Sequence, residues 1–169
     1  MTTACRAAMV LALGLAVSPA AHAQSVRVIG DFRDWSAYAT TESTGAVCFA
    51  MSKPVQTNPI PEGYTQGYLY LTNWPAEGVR HELNFIAGYT LAPDTPVIVS
   101  VGAESFSLFA QNDAAWLADA GQSENLAGVM RAGTNLTVEG TTDKGIKVVQ
   151  TYSLSGATAA SRAIDSDCV

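Results

Sequence analysis

Few side chains in this chain of 169 residues are equipped for chemistry, and their spacing decides what chemistry is open to them. There are two histidines, His22 and His81, and three cysteines, Cys5, Cys48 and Cys168. A serine nucleophile needs a base, so His81 is the natural partner for one beyond the first 23 residues, in a pair assembled in space. There is no G-x-S-x-G elbow and no S-x-x-K pair to give such a site local support. Zinc takes three or four ligands, mostly His and Cys, and a lone histidine among scattered carboxylates does not supply them. Glu77 or Glu82 with Asp31 or Asp34 offers the paired carboxylates of sugar hydrolysis, but an acidic domain presents such pairs by chance. No phosphate cradle of the P-loop or dinucleotide type is present. The expectation is a protein without catalytic residues, cofactor or metal.

Binding is better provided for. Trp35, Trp74 and Trp116, with Tyr64, Tyr68, Tyr70 and Tyr89, are the residue types favoured at binding surfaces. Trp35 and Tyr70 lie within strand patterns and read as packing. Trp74 precedes Pro75 in a turn pattern and is the exposed candidate. Arg80-His81-Glu82 is the densest charged cluster, and its local reading is a solvated strand edge that discourages aggregation. Trp74, Arg80 and His81 together form the candidate binding surface.

The ends of the chain say where these residues work. Met1 to Arg6 carries one positive charge, Ala7 to Val17 is an unbroken small-apolar run, and Ser18-Pro19 leads to Ala21-His22-Ala23. This is the three-part pattern of a secretory signal peptide cleaved after Ala23, with an apolar run too short for a permanent anchor. The expected mature chain is residues 24–169: one domain, exported to the periplasm, the outer membrane or the medium, with no stable membrane insertion. Cys5 leaves with the leader. Cys48 and Cys168 remain, and in an oxidising compartment two cysteines most simply make one disulfide. Net charge is −6, and losing Arg6 makes the mature form one unit more acidic. With lysine only at positions 53, 144 and 147 there is no basic patch, which argues against a nucleic-acid partner.

The elements expected to position these residues are mostly strands. Ser25–Ile29, Trp35–Thr41, Gly45–Met51, Gly67–Asn73 and Glu82–Ala87 alternate or run apolar. Val97–Val101 and Ser105–Phe109 form a hairpin about Gly102, and Asn135–Glu139 pairs with Ile146–Leu154 across Thr142-Asp143-Lys144-Gly145. Residues 52–66, broken by Pro54, Pro59 and Pro61, read as a loop. Ser123–Arg131, with Gly133 past its end, and Ala-rich Gly156–Ile164 read as short helices. Seven to nine short strands with frequent turns predict a mainly β sandwich with one or two short helices, its partner met through loops at the sandwich ends.

Several stretches, in order over almost the whole mature chain, resemble the invasion-associated locus B family of exported bacterial proteins. They are Asp34-Trp35, Val47-Cys48-Phe49-Ala50-Met51-Ser52 with Pro54, Phe106-Ser107-Leu108-Phe109, Trp116-Leu117, Met130-Arg131-Ala132-Gly133, Thr151-Tyr152-Ser153-Leu154-Ser155-Gly156, Ala159-Ala160 and Cys168. Val149-Gln150 departs from the pattern, where an acidic residue is expected. The resemblance implies an immunoglobulin-like sandwich in a Gram-negative envelope or secreted protein, linked in pathogenic members to entry into host cells such as red blood cells. It carries over no catalytic residue. The function so implied is that of a non-enzymatic envelope or surface-associated binding protein. Its expected partner is an envelope or host-surface protein or a glycan. The alternatives are a periplasmic structural or assembly role without a host, and lastly a hydrolase.

Overall fold

The computed structural model describes residues 25–168. The expected signal peptide, residues 1–23, lies outside them. Eleven antiparallel strands follow one another: β1 Arg27–Phe32, β2 Trp35–Glu42, β3 Gly45–Ser52, β4 Gln56–Asn58, β5 Tyr68–Trp74, β6 Val79–Ile86, β7 Val97–Val101, β8 Glu104–Gln111, β9 Ala114–Leu117, β10 Asn135–Thr141 and β11 Lys147–Ser153. Two helices, α1 Ser123–Ala132 and α2 Ala157–Asp167, complete the fold. The ladder is continuous, in the order β1-β2-β3-β5-β6-β9-β8-β7-β10-β11-β4. The sheet folds back on itself, so that the inward faces of β2, β3, β5 and β6 and those of β7, β10 and β11 share one core. Trp35 of β2, 1 % exposed, marks the closure: its Nε1 donates to Ser153 O of β11 at 2.9 Å. The expected immunoglobulin-like sandwich is thus observed as the two layers of one folded-over sheet.

Period-two alternation decides which side chains meet the core. Leu69 and Leu71 of β5 and Leu83 and Phe85 of β6 point in, while Tyr68, Tyr70 and Thr72 and then Glu82 and Asn84 point out. The β5–β6 register shifts between Thr72 and Trp74, because Thr72 pairs with Glu82 while Trp74 pairs with Val79. His81 absorbs this bulge at φ +52, a left-handed conformation that His adopts more readily than most residues.

Two elements exceed the sequence reading. β4 forms inside the expected loop of residues 52–66, as a three-residue edge strand on β11, where a neighbouring proline costs no ladder bond. β9 is four residues long and hairpins with β8 through Asn112-Asp113, with Asn112 at φ +59. α1 matches its expected span to within a residue, and the Gly133 N–H caps it on Val129 O at 3.0 Å. α2 runs three residues beyond its expected end and packs on β1, β2 and β3. The Cys48–Cys168 disulfide forms as expected and ties the end of α2 to β3.

Candidate functional site

Two features stand out, one on the outer face of the sheet and one beneath it. The outer face carries an aromatic ladder. Tyr38 of β2 stacks on Phe49 of β3 (ring centroids 5.3 Å apart), Phe49 meets Tyr70 of β5 at 6.0 Å, and Tyr70 meets Tyr68 at 6.0 Å. Lys53 Nζ sits 5.9 Å from the Tyr68 ring centroid, a cation–π contact that closes one end. Burial, with the neighbouring Tyr68 and Tyr38, pushes the Tyr70 phenol above its ordinary value, so its hydroxyl stays neutral. Further along the same face Phe109 of β8 stacks on Trp116 of β9, 5.7 Å apart with planes 25° from parallel, and Phe109 is 52 % exposed.

Two concavities follow this face. A groove of about 330 Å³ runs over Phe49, Tyr70, Thr72, Trp74 and Asn84. A cleft of about 730 Å³ lies between β6, the Phe109–Trp116 pair and the start of α1. Glu82 and Trp116 line both, so the two are continuous. This cleft is built on the face of the sheet, from residues of β6, β8 and β9, with Gly78, Ala120 and Gly121 of the adjoining turns at its rim.

The sequence candidates fall around this cleft in three different environments. Trp74 is half-buried in the groove wall, and its Nε1 donates to Glu82 Oε2 at 3.0 Å. Arg80 lies on the wall of the cleft with its guanidinium 2.9 Å from Asp165 Oδ1. His81 is not part of a solvated strand edge. It is 4 % exposed, because it continues the inward alternation of Leu83 and Phe85 along β6. The charged triplet thus splits, with Arg80 and Glu82 on the cleft and His81 under it. Cys48 and Cys168 are both buried, as a structural staple.

His81 is the hub beneath the cleft. Its Nδ1 lies 2.8 Å from Glu124 Oε1 at the start of α1, and its Nε2 lies 2.9 Å from Asp165 Oδ1 and 3.1 Å from Ser161 Oγ on α2. Ser161 and Asp165, four apart, share one helix face. The His81 N–H donates to Asn73 Oδ1 at 2.9 Å, and Asn73 Nδ2 in turn donates to Asp165 Oδ1 at 2.9 Å. Ser161, His81 and Glu124 therefore line up as serine, imidazole and carboxylate. Two facts disarm the arrangement: Ser161 is 4 % exposed, and Asp165 competes for the nitrogen that would take its proton. Among the candidate carboxylate pairs, Asp31 and Glu82 are far apart. Asp31 and Glu82 sit on β1 and β6 with three strands between them, roughly 19 Å apart at ~4.8 Å per strand. Sugar hydrolysis uses carboxylates about 5–9.5 Å apart. Asp165 and Ser161 escape sequence reading because they sit in an Ala-rich helix with no motif of their own. The β8–β9 aromatic pair was legible only as two separate aromatics.

The hub makes stability depend on pH. Partial burial raises the Asp165 carboxyl, but hydrogen bonds from Asn73 and Arg80, with the charges of His81 and Arg80, outweigh it and hold the group below its ordinary value of 3.8. A depressed carboxyl stabilises the folded state above its unfolded value, and that contribution disappears as the pH falls through the lower folded value. Asp165→Asn is accordingly expected to be less stable than wild type at neutral pH, with the gap narrowing as the pH falls below 3.8 toward the lower folded value. Urea midpoints of both proteins across this range check it, and a gap constant with pH would remove the carboxylate from the account.

The family model of the Invasion associated locus B (IalB) protein matches residues 35–165. No curated protein and no solved structure matches the chain. The match covers most of the sequence and runs from the buried Trp35 to the hub residue Asp165, and the chain belongs to this family.

Proposed function

We propose that this member of the invasion-associated locus B family is an exported, non-enzymatic binding protein of a Gram-negative envelope or cell surface. It meets an envelope or host-surface partner across the aromatic face and its cleft, and it serves host-cell contact where the bacterium has a host. The observation that carries this reading is the continuous outer face from Tyr38 to Phe109, which leaves large rings half-covered and ends in a cleft of about 730 Å³. Monomers seldom leave contiguous apolar surface of that kind without a use for it. Export is supported by the leader pattern in residues 1–23 and by a buried disulfide of the kind kept in oxidising compartments. Among the described residues no helix is long and apolar enough to cross a membrane. The non-enzymatic reading is supported by the burial of Ser161 and His81 away from any substrate.

Cell fractionation with protease shaving of intact cells tests the proposal. The expected product starts at Gln24 and leaves the cytoplasm. Digestion on intact cells favours host contact. Protection until the outer membrane is opened redirects the search to an envelope partner or an assembly role. An uncleaved cytoplasmic product overturns the proposal.

A further inference from the structure

We infer that the cleft beside Trp116 is a saccharide-binding site for an uncharged pyranose oligosaccharide. The inference rests on the binding role proposed above and adds the ligand class.

Three observations carry it. The floor is the stacked Phe109–Trp116 pair, with Phe109 half in solvent. A pyranose ring has one face of C–H bonds and an edge of hydroxyls, so it lays the first on an aromatic plane and needs acceptors for the second. The acceptors are present and held from behind: Glu82 by Trp74 Nε1 at 3.0 Å and Glu124 by His81 Nδ1 at 2.8 Å, with the Gln111 amide on the same wall. A carboxylate has about four lone-pair sites, and one donor from the fold leaves room for hydroxyl donors from a ligand.

Charge then selects among ligand classes. An anion would face Glu82 and Glu124, while the one cation of the wall, Arg80, is already paired with Asp165. An uncharged ligand rich in hydroxyls donates to both carboxylates without that repulsion. Extension of the cleft into the groove over Tyr70 and Phe49 provides a track for several sugar units and not only one.

The test titrates the mature protein with chitohexaose, cellohexaose, maltohexaose and laminarihexaose, and with neutral glycans released from bacterial envelopes and from mammalian cells. The reporter is tryptophan fluorescence, since Trp116 and Trp74 both line the track. Saturable quenching by at least one neutral probe is expected, and the responding probe identifies the source. Phe109→Ala, at a half-exposed position, is expected to weaken that binding about tenfold with the fold intact by circular dichroism. Gln111→Ala is expected to weaken it as well, which guards against a purely hydrophobic effect. Tighter binding of oligogalacturonate than of any neutral probe would overturn the charge argument. Silence of every glycan would overturn the saccharide site. In that case, capture of an envelope or host-cell protein by wild type and not by Phe109→Ala would leave the binding role standing. Failure of both would remove the role as well.

Discussion

Replacing Cys48 and Cys168 together by alanine is expected to lower stability by about 4–5 kcal/mol. The two residues are 120 positions apart, so the bond removes a long closed loop from the unfolded ensemble. Domains of this size are typically stable by about 5–15 kcal/mol, so the loss approaches the whole of a modest stability. The folded side changes less. α2 keeps its other anchors when the sulfurs go: the Arg27–Asp167 ion pair, the Asn73–Asp165 bond and the Ser161–His81 contact all hold it to β1, β5 and β6. The variant should therefore still fold to the same structure at low temperature, with one cooperative urea transition at a much lower midpoint and a steeper slope, because the unfolded chain without the cross-link exposes more surface. Wild type with reductant should move to the same midpoint. Thiol titration of the mature protein from its native compartment should find both cysteines blocked; two free thiols per chain would refute the staple.

How much of this could be read beforehand follows from the range over which each feature is encoded. Alternation in Gly67–Asn73 and the apolar run around Cys48 are local, and β5 and β3 lie where those patterns put them. The pairing of Cys48 with Cys168 was legible because the leader pattern takes Cys5 away and leaves these two. β4 and β9 were not: three residues beside prolines and four apolar residues after Asn112-Asp113 carry too short a period, and only pairing with β11 and β8 makes them strands. His81 failed for a different reason. A polar triplet in a strand reads as solvated, although the inward alternation of Leu83 and Phe85 carries back to its middle residue. The cleft is harder still. It needs Arg80 and Glu82 from β6, Phe109 from β8, Trp116 from β9 and Glu124 from α1. These come together only through the order β6-β9-β8, which no short window contains. Gln150 makes the same point about the family pattern: where an acidic residue was expected, its buried amide donates to Ala87 O at 2.8 Å and its carbonyl accepts from the Tyr152 hydroxyl at 3.0 Å. A neutral amide serves both partners there, whereas a buried carboxylate would face the Ala87 carbonyl unprotonated.

Gly156→Ala is expected to be the most damaging glycine-to-alanine change among the described residues. Gly156 caps the start of α2 at φ +97, a conformation that costs an L-residue about 1–2 kcal/mol by itself. Space is the larger problem. A Cβ at this position would lie 1.7 Å from the Phe32 carbonyl oxygen, which belongs to the backbone of β1 and has no rotamer to escape into. Relief requires the β1–β2 corner to draw away from the helix. That corner is bound there by the Asp34 N–H on Ser155 O at 3.2 Å, and the neighbouring Trp35 is buried in the core with its indole on β11. Moving it opens the closure of the folded-over sheet, so the expected loss exceeds about 4 kcal/mol, in the range where a named steric cause is required. Gly145→Ala separates the two contributions. It has φ +80 but nothing within 4 Å of its Cβ, so it should cost only the conformational share of about 1–2 kcal/mol. Urea unfolding of the two variants beside wild type gives the comparison. Equal losses would mean that the approach of Phe32 to Gly156 does not hold the corner, and the account of how this sheet closes would have to be rebuilt around Trp35 alone.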